Sequence, residues 1–364
     1  MNQNQQTVIR AIQEDGHNPN AIGHIEFDRE TGHFKFNRDA SPATITPQTG
    51  SSQVILKNEK DGWAAEAAPY PIPSSEQFYD PIDGVFESDL LRDKVGLFIG
   101  LGSVGSQVCL NLAREGLGHF ILVDHDRVEP HNLSRHIAGV KDIGRLKTDV
   151  MEDAILQKNP YADITKMPTS VLQDSEALSM AFRKANIVFC MTDNNPSRYV
   201  VVKSAVEAGK TVIYGRANTR AEGVDVFIQR PGQACYNCLV DAGGMIEEEI
   251  TNAASSFENG TIPAYTSPED ANVMVQIGLP SDIDPLVTMI VKLGLLELTG
   301  ESEDSGISSL YNELHEFNFF IWANRRTNRY LCFSPFNHRR DMPTILSWYG
   351  CTIPNHPNCS FCKE

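Results

Sequence analysis

Two sets of residues in this 364-residue chain have types and spacings that could do chemistry. The first would handle a polyphosphate. Gly100-Leu101-Gly102-Ser103-Val104-Gly105 fits G-x-G-x-x-G. Such glycines permit a tight turn and let backbone amides approach a phosphate at the positive N-terminus of a helix. Asp124 lies about twenty residues further on, where a carboxylate can accept hydrogen bonds from ribose hydroxyls. His125, Asp126, Asn132 and Arg135 follow, and Lys147 opens the next helix. Arginine offers phosphate oxygens a rigid fork, and lysine a compact mobile charge. Thr192-Asp193-Asn194 comes directly after an apolar strand, at the sheet edge where ligands bind in open α/β folds. An acid beside a triphosphate has magnesium as its natural partner, because that ion takes few protein carboxylates and shares phosphate oxygens. Each residue alone has a plain structural use: a solvated lysine, a surface arginine, an aspartate capping a helix. Together they point to a nucleotide triphosphate rather than a nicotinamide cofactor. An NAD-dependent oxidoreductase has no use for Arg135, Lys147 and Asp193 at once.

The second set is thiols. Eight cysteines occupy positions 109, 190, 235, 238, 332, 351, 359 and 362, and four form the pairs Cys235-x-x-Cys238 and Cys359-x-x-Cys362. Two such pairs can furnish a closed tetrahedral four-thiolate zinc site that ties the chain end to a domain. Redox dithiols and unmetallated cysteines are the other readings, and Cys351 or His356 could replace one ligand. The first residues have no basic start, apolar stretch or cleavage signal, and no apolar run reaches membrane-spanning length. A cytoplasmic, reducing compartment is expected, where paired cysteines bind metal or do redox chemistry more often than they staple.

The elements that must position these residues are readable in outline. Val95 to Ile99 is a short apolar run suited to a buried parallel strand, and Val104, Val108 and Leu112 recur at helical spacing after it. Strand-like runs follow at 120–123, 187–191, 211–214 and 224–228, continuing the βα alternation. The economical fold is α/β: a doubly wound, mostly parallel Rossmann-like sheet. Leu286 to Leu298 reads as an apolar helix, and Phe317–Trp322 with Tyr330–Phe333 as a C-terminal antiparallel pair. Residues 1–75 form a small, β-rich accessory segment. It holds a hairpin of His24–Phe27 with His33–Phe36 and a strand at Val54–Leu56, and ends in a proline-spaced linker. The formal charge of −16 excludes the broad basic face that coating nucleic acid requires.

With these residues in view, the sequence resembles the ThiF/MoeB/HesA superfamily, which includes the activating enzymes for ubiquitin-like and sulfur-carrier proteins. The resemblance is carried by FIGLGSVGSQV, LVDHDRVEPHNLSRH, the lysine of IGRLKTDVMEDAI, CMTDNNPSRY and CYNC, in order and spacing. It implies one adenylation domain over 76–364, with a crossover region at about 245–285 and a zinc-binding tail. It also implies a homodimer that adenylates the C-terminal glycine carboxylate of a small ubiquitin-like or sulfur-carrier protein, with a conjugating-enzyme-like acceptor downstream. A peptide or tRNA nucleoside carboxylate is the alternative substrate. Under the resemblance, Gly100, Gly102 and Gly105 cradle ATP, Asp124 and Asp126 lie on the nucleotide, and Asn132, Arg135 and Lys147 hold phosphates. Asp193, with Asn194 beside it, binds magnesium, and Arg198 holds the site together. A carboxylate is already ionised at neutral pH, so no general base is needed.

Three departures from the family pattern stand out. Ser103 replaces a glycine of the usual loop. No R-Y-x-R-Q stretch lies in Phe78 to Arg92, so the arginine that reaches a partner subunit's ATP would come from Arg10 or Arg29 or be missing. Tyr265 stands where thioester-forming relatives carry cysteine, while Cys109, Cys190 and Cys332 read as packed residues. Transfer would then stop at the acyl adenylate, pass to another protein's nucleophile, or form an ester on Thr266 or Ser267.

Overall fold

The computed structural model describes residues 23–28, 33–38, 54–59, 62–67, 78–82, 84–218, 221–243, 278–325 and 345–362. The chain divides into two compact units: Met1–Pro81 with Leu156–Tyr161, and Ile82–Ile155 with Ala162–Glu364. In the first unit, β1 (Gly23–Asp28) pairs antiparallel with β2 (His33–Arg38). The strand expected at Val54 is β3 (Val54–Glu59), and it has a partner that sequence reading missed, β4 (Gly62–Ala67).

The second unit carries one eight-stranded sheet. Its strands are β5 (Val95–Ile99), β6 (His119–Val123), β7 (Asp163–Met167), β8 (Ile187–Cys190), β9 (Val212–Ala217), β10 (Gly223–Gln229), β11 (Phe319–Ala323) and β12 (Trp348–Cys351). They lie in the order β12-β11-β10-β9-β8-β5-β6-β7. From β7 to β9 all pairings are parallel, and from β9 to β12 all are antiparallel. The helices are α1 (Asp89–Arg92), α2 (Ser103–Arg114), α3 (Lys147–Leu156), α4 (Ser175–Lys184), α5 (Asn195–Ala208), α6 (Tyr236–Gly243), α7 (Pro280–Thr299) and α8 (Ser308–Leu314).

The period-2 alternation of strand side chains feeds two cores, one on each face of the sheet. Phe98, Leu122, Ile213 and Val226 point to one, where Val108 and Leu112 of α2 meet Leu286, Ile290 and Leu293 of α7. Leu97, Ile99, Val188 and Tyr214 point to the other, where Leu178 and Phe182 of α4 meet Val201 and Val202 of α5. Phe98 bridges β6 and β8, its ring stacked on Phe120 at 5.5 Å and on Phe189 at 4.8 Å. Helices on both faces of a largely parallel sheet make this the doubly wound α/β fold expected, with its antiparallel C-terminal extension.

One expectation is corrected. β10 does not continue the βα alternation: it starts at Gly223, soon after β9 ends at Ala217, and the two strands form an antiparallel pair. An apolar run reports burial, not direction. In the run Phe317–Trp322, β11 is antiparallel to β10 on one edge and to β12 on the other. Residues 330–333 lie outside the described residues.

Candidate functional site

β5 is flanked by β6 on one side and β8 on the other, so chain order reverses direction at its carboxyl end, the crevice where open α/β sheets bind ligands. The loops that carry the singled-out residues leave these three neighbouring strands. Gly100 follows β5 with φ +87°, and a Cβ there would lie 2.9 Å from the Met191 carbonyl oxygen beyond β8. Gly105 in α2 comes so near the Gly100 carbonyl that a Cβ would stand 1.9 Å from it. Gly102 differs. It caps α2 in extended conformation, and a Cβ would meet nothing within 4 Å. The loop is therefore tight at Gly100 and Gly105 but open at Gly102. The first helical bond there runs from the Ser106 amide to the Gly102 carbonyl, leaving earlier amides of the turn available to an anion. Ser103 is the first residue of α2 and has no positive φ, so replacing glycine there costs nothing in backbone geometry.

Asp124, buried at the end of β6, accepts the Leu101 amide on Oδ2 (2.6 Å) and the Asp126 amide on Oδ1 (2.8 Å). Each oxygen has a second lone pair that can accept another donor. The carbonyl of Leu101 is held in turn by His136, which sequence reading passed over although it directly follows Arg135. Its Nδ1 accepts the Ala138 amide (2.9 Å), so Nε2 carries the proton and donates to the Leu101 carbonyl (2.8 Å). Burial holds the His136 pKa below its ordinary value, against the opposing pull of that carbonyl. Ser103 Oγ and Gln107 Nε2 donate to the Arg135 carbonyl at 3.4 Å, seating the Arg135 loop on α2. Asn132 Oδ1 accepts the Glu129 amide (2.9 Å), which shapes the same loop.

Lys147 is 7% exposed, and its Nζ lies 2.7 Å from Asp126 Oδ2. Asp193 is exposed, and its Oδ1 accepts from Asn194 Nδ2 at 3.2 Å. Asn194 also caps α5 through the Ser197 amide (2.9 Å). Asp193 joins no group of three or more His, Cys, Asp or Glu ligands among the described residues. Arg198 is buried and turned inward: Nε and Nη2 both donate to the Thr192 carbonyl (3.1 and 2.7 Å), and Nη1 to Asn195 Oδ1 and the Tyr236 hydroxyl. Arg92 pairs with Asp89 within α1.

The four paired cysteines converge. Cys235 Sγ lies 3.5 Å from Cys359 Sγ and 3.9 Å from Cys238 Sγ, while Cys238 Sγ is 3.5 Å from Cys362 Sγ. Tetrahedral zinc with Zn–S near 2.3 Å places sulfurs about 3.8 Å apart, whereas a disulfide needs about 2 Å. The His356 amide donates to Cys238 Sγ (3.3 Å) and Asn237 Nδ2 to Cys359 Sγ (3.6 Å), as amides do around thiolates. Burial pushes the Cys235 thiol up, and Cys362 to about 11. At Cys359 the same burial is outweighed by the amides of Cys362 and Phe361, bringing it down to about 6. Thiols this close do not ionise together without a cation. The fourth member is Cys362 rather than Cys351 or His356. Cys109 and Cys190 are fully buried, and burial raises both thiols. Tyr265, Thr266, Ser267, Cys332, Arg10 and Arg29 lie outside the described residues.

Sheet order, glycine loop and cysteine cluster together define an α/β domain organised around a switch-point loop, with its tail gathered on a four-thiol centre. A family model described as the ThiF family matches residues 81–327, more than half of the chain. The chain belongs to the ThiF family. It is 32% identical over 157 residues to a molybdopterin-synthase adenylyltransferase of Escherichia coli K12, a match covering 42% of this chain and 60% of that protein. It is 29% identical over 223 residues to the adenylyltransferase and sulfurtransferase MOCS3 of Mus musculus, covering 60% of this chain and 48% of that one. The chain thus matches about half the length of these curated relatives. A crystal structure of E. coli MccB with MccA-N7isoASN shares the fold at TM-score 0.50 and 19% identity, covering 76% of this chain and 69% of that one. Among the described residues, no helix is long and apolar enough to cross a membrane.

Proposed function

We propose that the protein uses MgATP to adenylate the C-terminal glycine carboxylate of a small ubiquitin-like or sulfur-carrier protein, releasing pyrophosphate, as a cytoplasmic homodimer. The observation that carries this reading is the convergence of the open glycine at 102, Asp124, the Lys147–Asp126 pair and Asp193 on the carboxyl ends of β5, β6 and β8, in a chain of the ThiF family. The relatives named adenylyltransferases support it.

Two anionic partners, a carboxylate and a triphosphate, must be brought together, so the protein's task is positioning and charge neutralisation. Amides at the start of α2 face the nucleotide phosphates over Gly102, and Asp124 receives the ribose. Lys147, held by Asp126 until substrate arrives, exchanges that carboxylate for a phosphate oxygen. Arg135 and Asn132 bind from the loop seated on α2, and Asp193 with Asn194 presents the metal ligand. ATP supplies the adenylyl group and magnesium screens its charge. Cys235, Cys238, Cys359 and Cys362 hold zinc, fixing the tail beside α5 and α6. Tyr265 occupies the thioester position, so the adenylate is passed on without a cysteine there.

The test is ATP–pyrophosphate exchange with purified carriers ending in glycine. Exchange that depends on the carrier's terminal glycine supports the proposal. Its absence with every such carrier, in protein that binds MgATP, overturns the substrate assignment.

A further inference from the structure

Two consecutive residues at the start of α5 grip the two cysteine loops. Arg198 Nη1 donates to the hydroxyl of Tyr236 at 3.2 Å, and its guanidinium lies 5.8 Å from that ring's centroid. Tyr236 is the residue between Cys235 and Asn237 of the first pair. Tyr199 stacks on Phe361, inside the second pair, with centroids 5.8 Å apart and planes 8° from parallel. Tyr236 is wholly buried, and a second guanidinium, that of Arg216, donates to the same hydroxyl at 3.3 Å, with its central carbon 5.6 Å from the ring centroid. Arg216 is itself fixed by Asp225, directly opposite it across β9 and β10, at 2.7 Å.

The other side of Arg198 faces the nucleotide crevice. It holds the Thr192 carbonyl with two donors, and the Thr192 amide nitrogen lies 3.2 Å from where a Gly100 Cβ would be. Thr192 is therefore confined between the glycine loop, which approaches its amide nitrogen, and Arg198, which holds its carbonyl, and Asp193 follows it immediately. A shift of Tyr236 would move Arg198, and through Thr192 both the glycine loop and the magnesium ligand.

We propose that Tyr236 is a positioning residue that couples the four-cysteine centre to the nucleotide site, acting through Arg198 on the Thr192 carbonyl. The coupling rests on the reading of that crevice as a MgATP site. Being an equilibrium coupling it is reciprocal: metal in the cysteine centre favours MgATP, and MgATP favours retention of the metal.

The experiment measures zinc affinity of Zn2+-loaded protein by equilibrium competition with a chromophoric chelator, with and without MgATP, and needs no carrier. In the wild type, MgATP is expected to tighten zinc binding on the order of fivefold. Tyr236→Phe, which removes only the hydroxyl, retains zinc but loses the MgATP effect. Phe361→Leu, altering a half-buried ring at the second contact, provides the same readout with a weakened effect if circular dichroism shows Tyr236→Phe unfolded. If MgATP binds the wild type by calorimetry yet leaves zinc affinity unchanged, or tightens it equally in a folded variant, the coupling is refuted. If MgATP does not bind the wild type, or no zinc is retained, the site reading itself fails and the coupling with it.

Discussion

Lys147 Nζ lies 2.7 Å from Asp126 Oδ2, a buried ammonium paired with an exposed carboxylate. The two are joined again through the backbone, where the Lys147 amide donates to the Asp126 carbonyl at 3.0 Å. The loop after β6 therefore sets where the first residue of α3 presents its charge. An ion pair with one partner in water contributes at most about 1 kcal/mol to folding, too little to explain burying a lysine at a sheet edge. Under the proposed function its value lies in a charge held beside the crevice. Lys147→Ala is accordingly expected to lower carrier-dependent ATP–pyrophosphate exchange at least about a hundredfold while leaving the melting temperature nearly unchanged. A near-normal exchange rate in the folded variant would remove Lys147 from the site.

The glycines separate fold from binding. A Cβ at Gly105 would stand 1.9 Å from a backbone oxygen, whereas one at Gly102 would meet nothing within 4 Å. Gly105→Ala should lower thermal stability, with a cost on the order of 1–3 kcal/mol for forcing the loop open. Gly102→Ala should melt like the wild type and bind MgATP more weakly by calorimetry, because its methyl enters the space above the helix N-terminus. Unchanged affinity in Gly102→Ala would mean that the nucleotide phosphates do not lie over that residue.

Much of this architecture was legible because burial leaves a pattern. The runs at β5, β6 and β8 are apolar along their length, and α2 repeats its apolar positions every turn, so the strand–glycine turn–helix unit reads directly. β7 did not: its residues DITKM form an edge strand with no buried member, and no apolar run marks it. β12 is four residues long, and its pairing with β11 is stated nowhere in its own composition. The four cysteines were legible as two spaced pairs. Tyr236 was not, because its partners Arg198 and Arg216 lie 38 and 20 residues away and are brought to one hydroxyl only by the packing of α5, β9 and α6. His136 was hidden for a related reason, since both its ring nitrogens serve backbone groups rather than a recognisable motif.

The cysteine centre predicts a metal stoichiometry. Four sulfurs with neighbouring separations of 3.5–3.9 Å suit one tetrahedral ion, and a tail held by it should depend on it. Purified protein should contain about one zinc per chain. Cys238→Ser or Cys362→Ser should lose it and release the segment beyond β12, read as new protease cleavage near residues 354–362. The pairing of β12 with β11 would remain, as would the Asn318 side-chain amide, which donates to the Ile353 carbonyl at 2.9 Å and accepts its amide at 2.7 Å. Metal-free wild-type protein with a protease-resistant tail would return these thiols to redox or packing roles.

His136 gives the site a dependence on acid. It is buried as the neutral imidazole, with Nδ1 accepting and Nε2 donating, and its pKa in the folded protein lies below the ordinary value of 6.5, chiefly because burial disfavours the charge. The unfolded chain therefore binds the proton more readily than the native one, and stability falls as pH falls. The contribution is fully present above about pH 6.5 and is lost as the pH drops through the lower folded value. Protonation would also remove the acceptor for the Ala138 amide and so loosen the ring's hold on Leu101, whose own amide Asp124 accepts. Between pH 7 and 5, the wild type should lose more melting temperature than His136→Gln, which cannot gain that charge, and its MgATP affinity should decline over the same interval. Parallel melting profiles for the two proteins would show that other groups, not His136, set the acid limit.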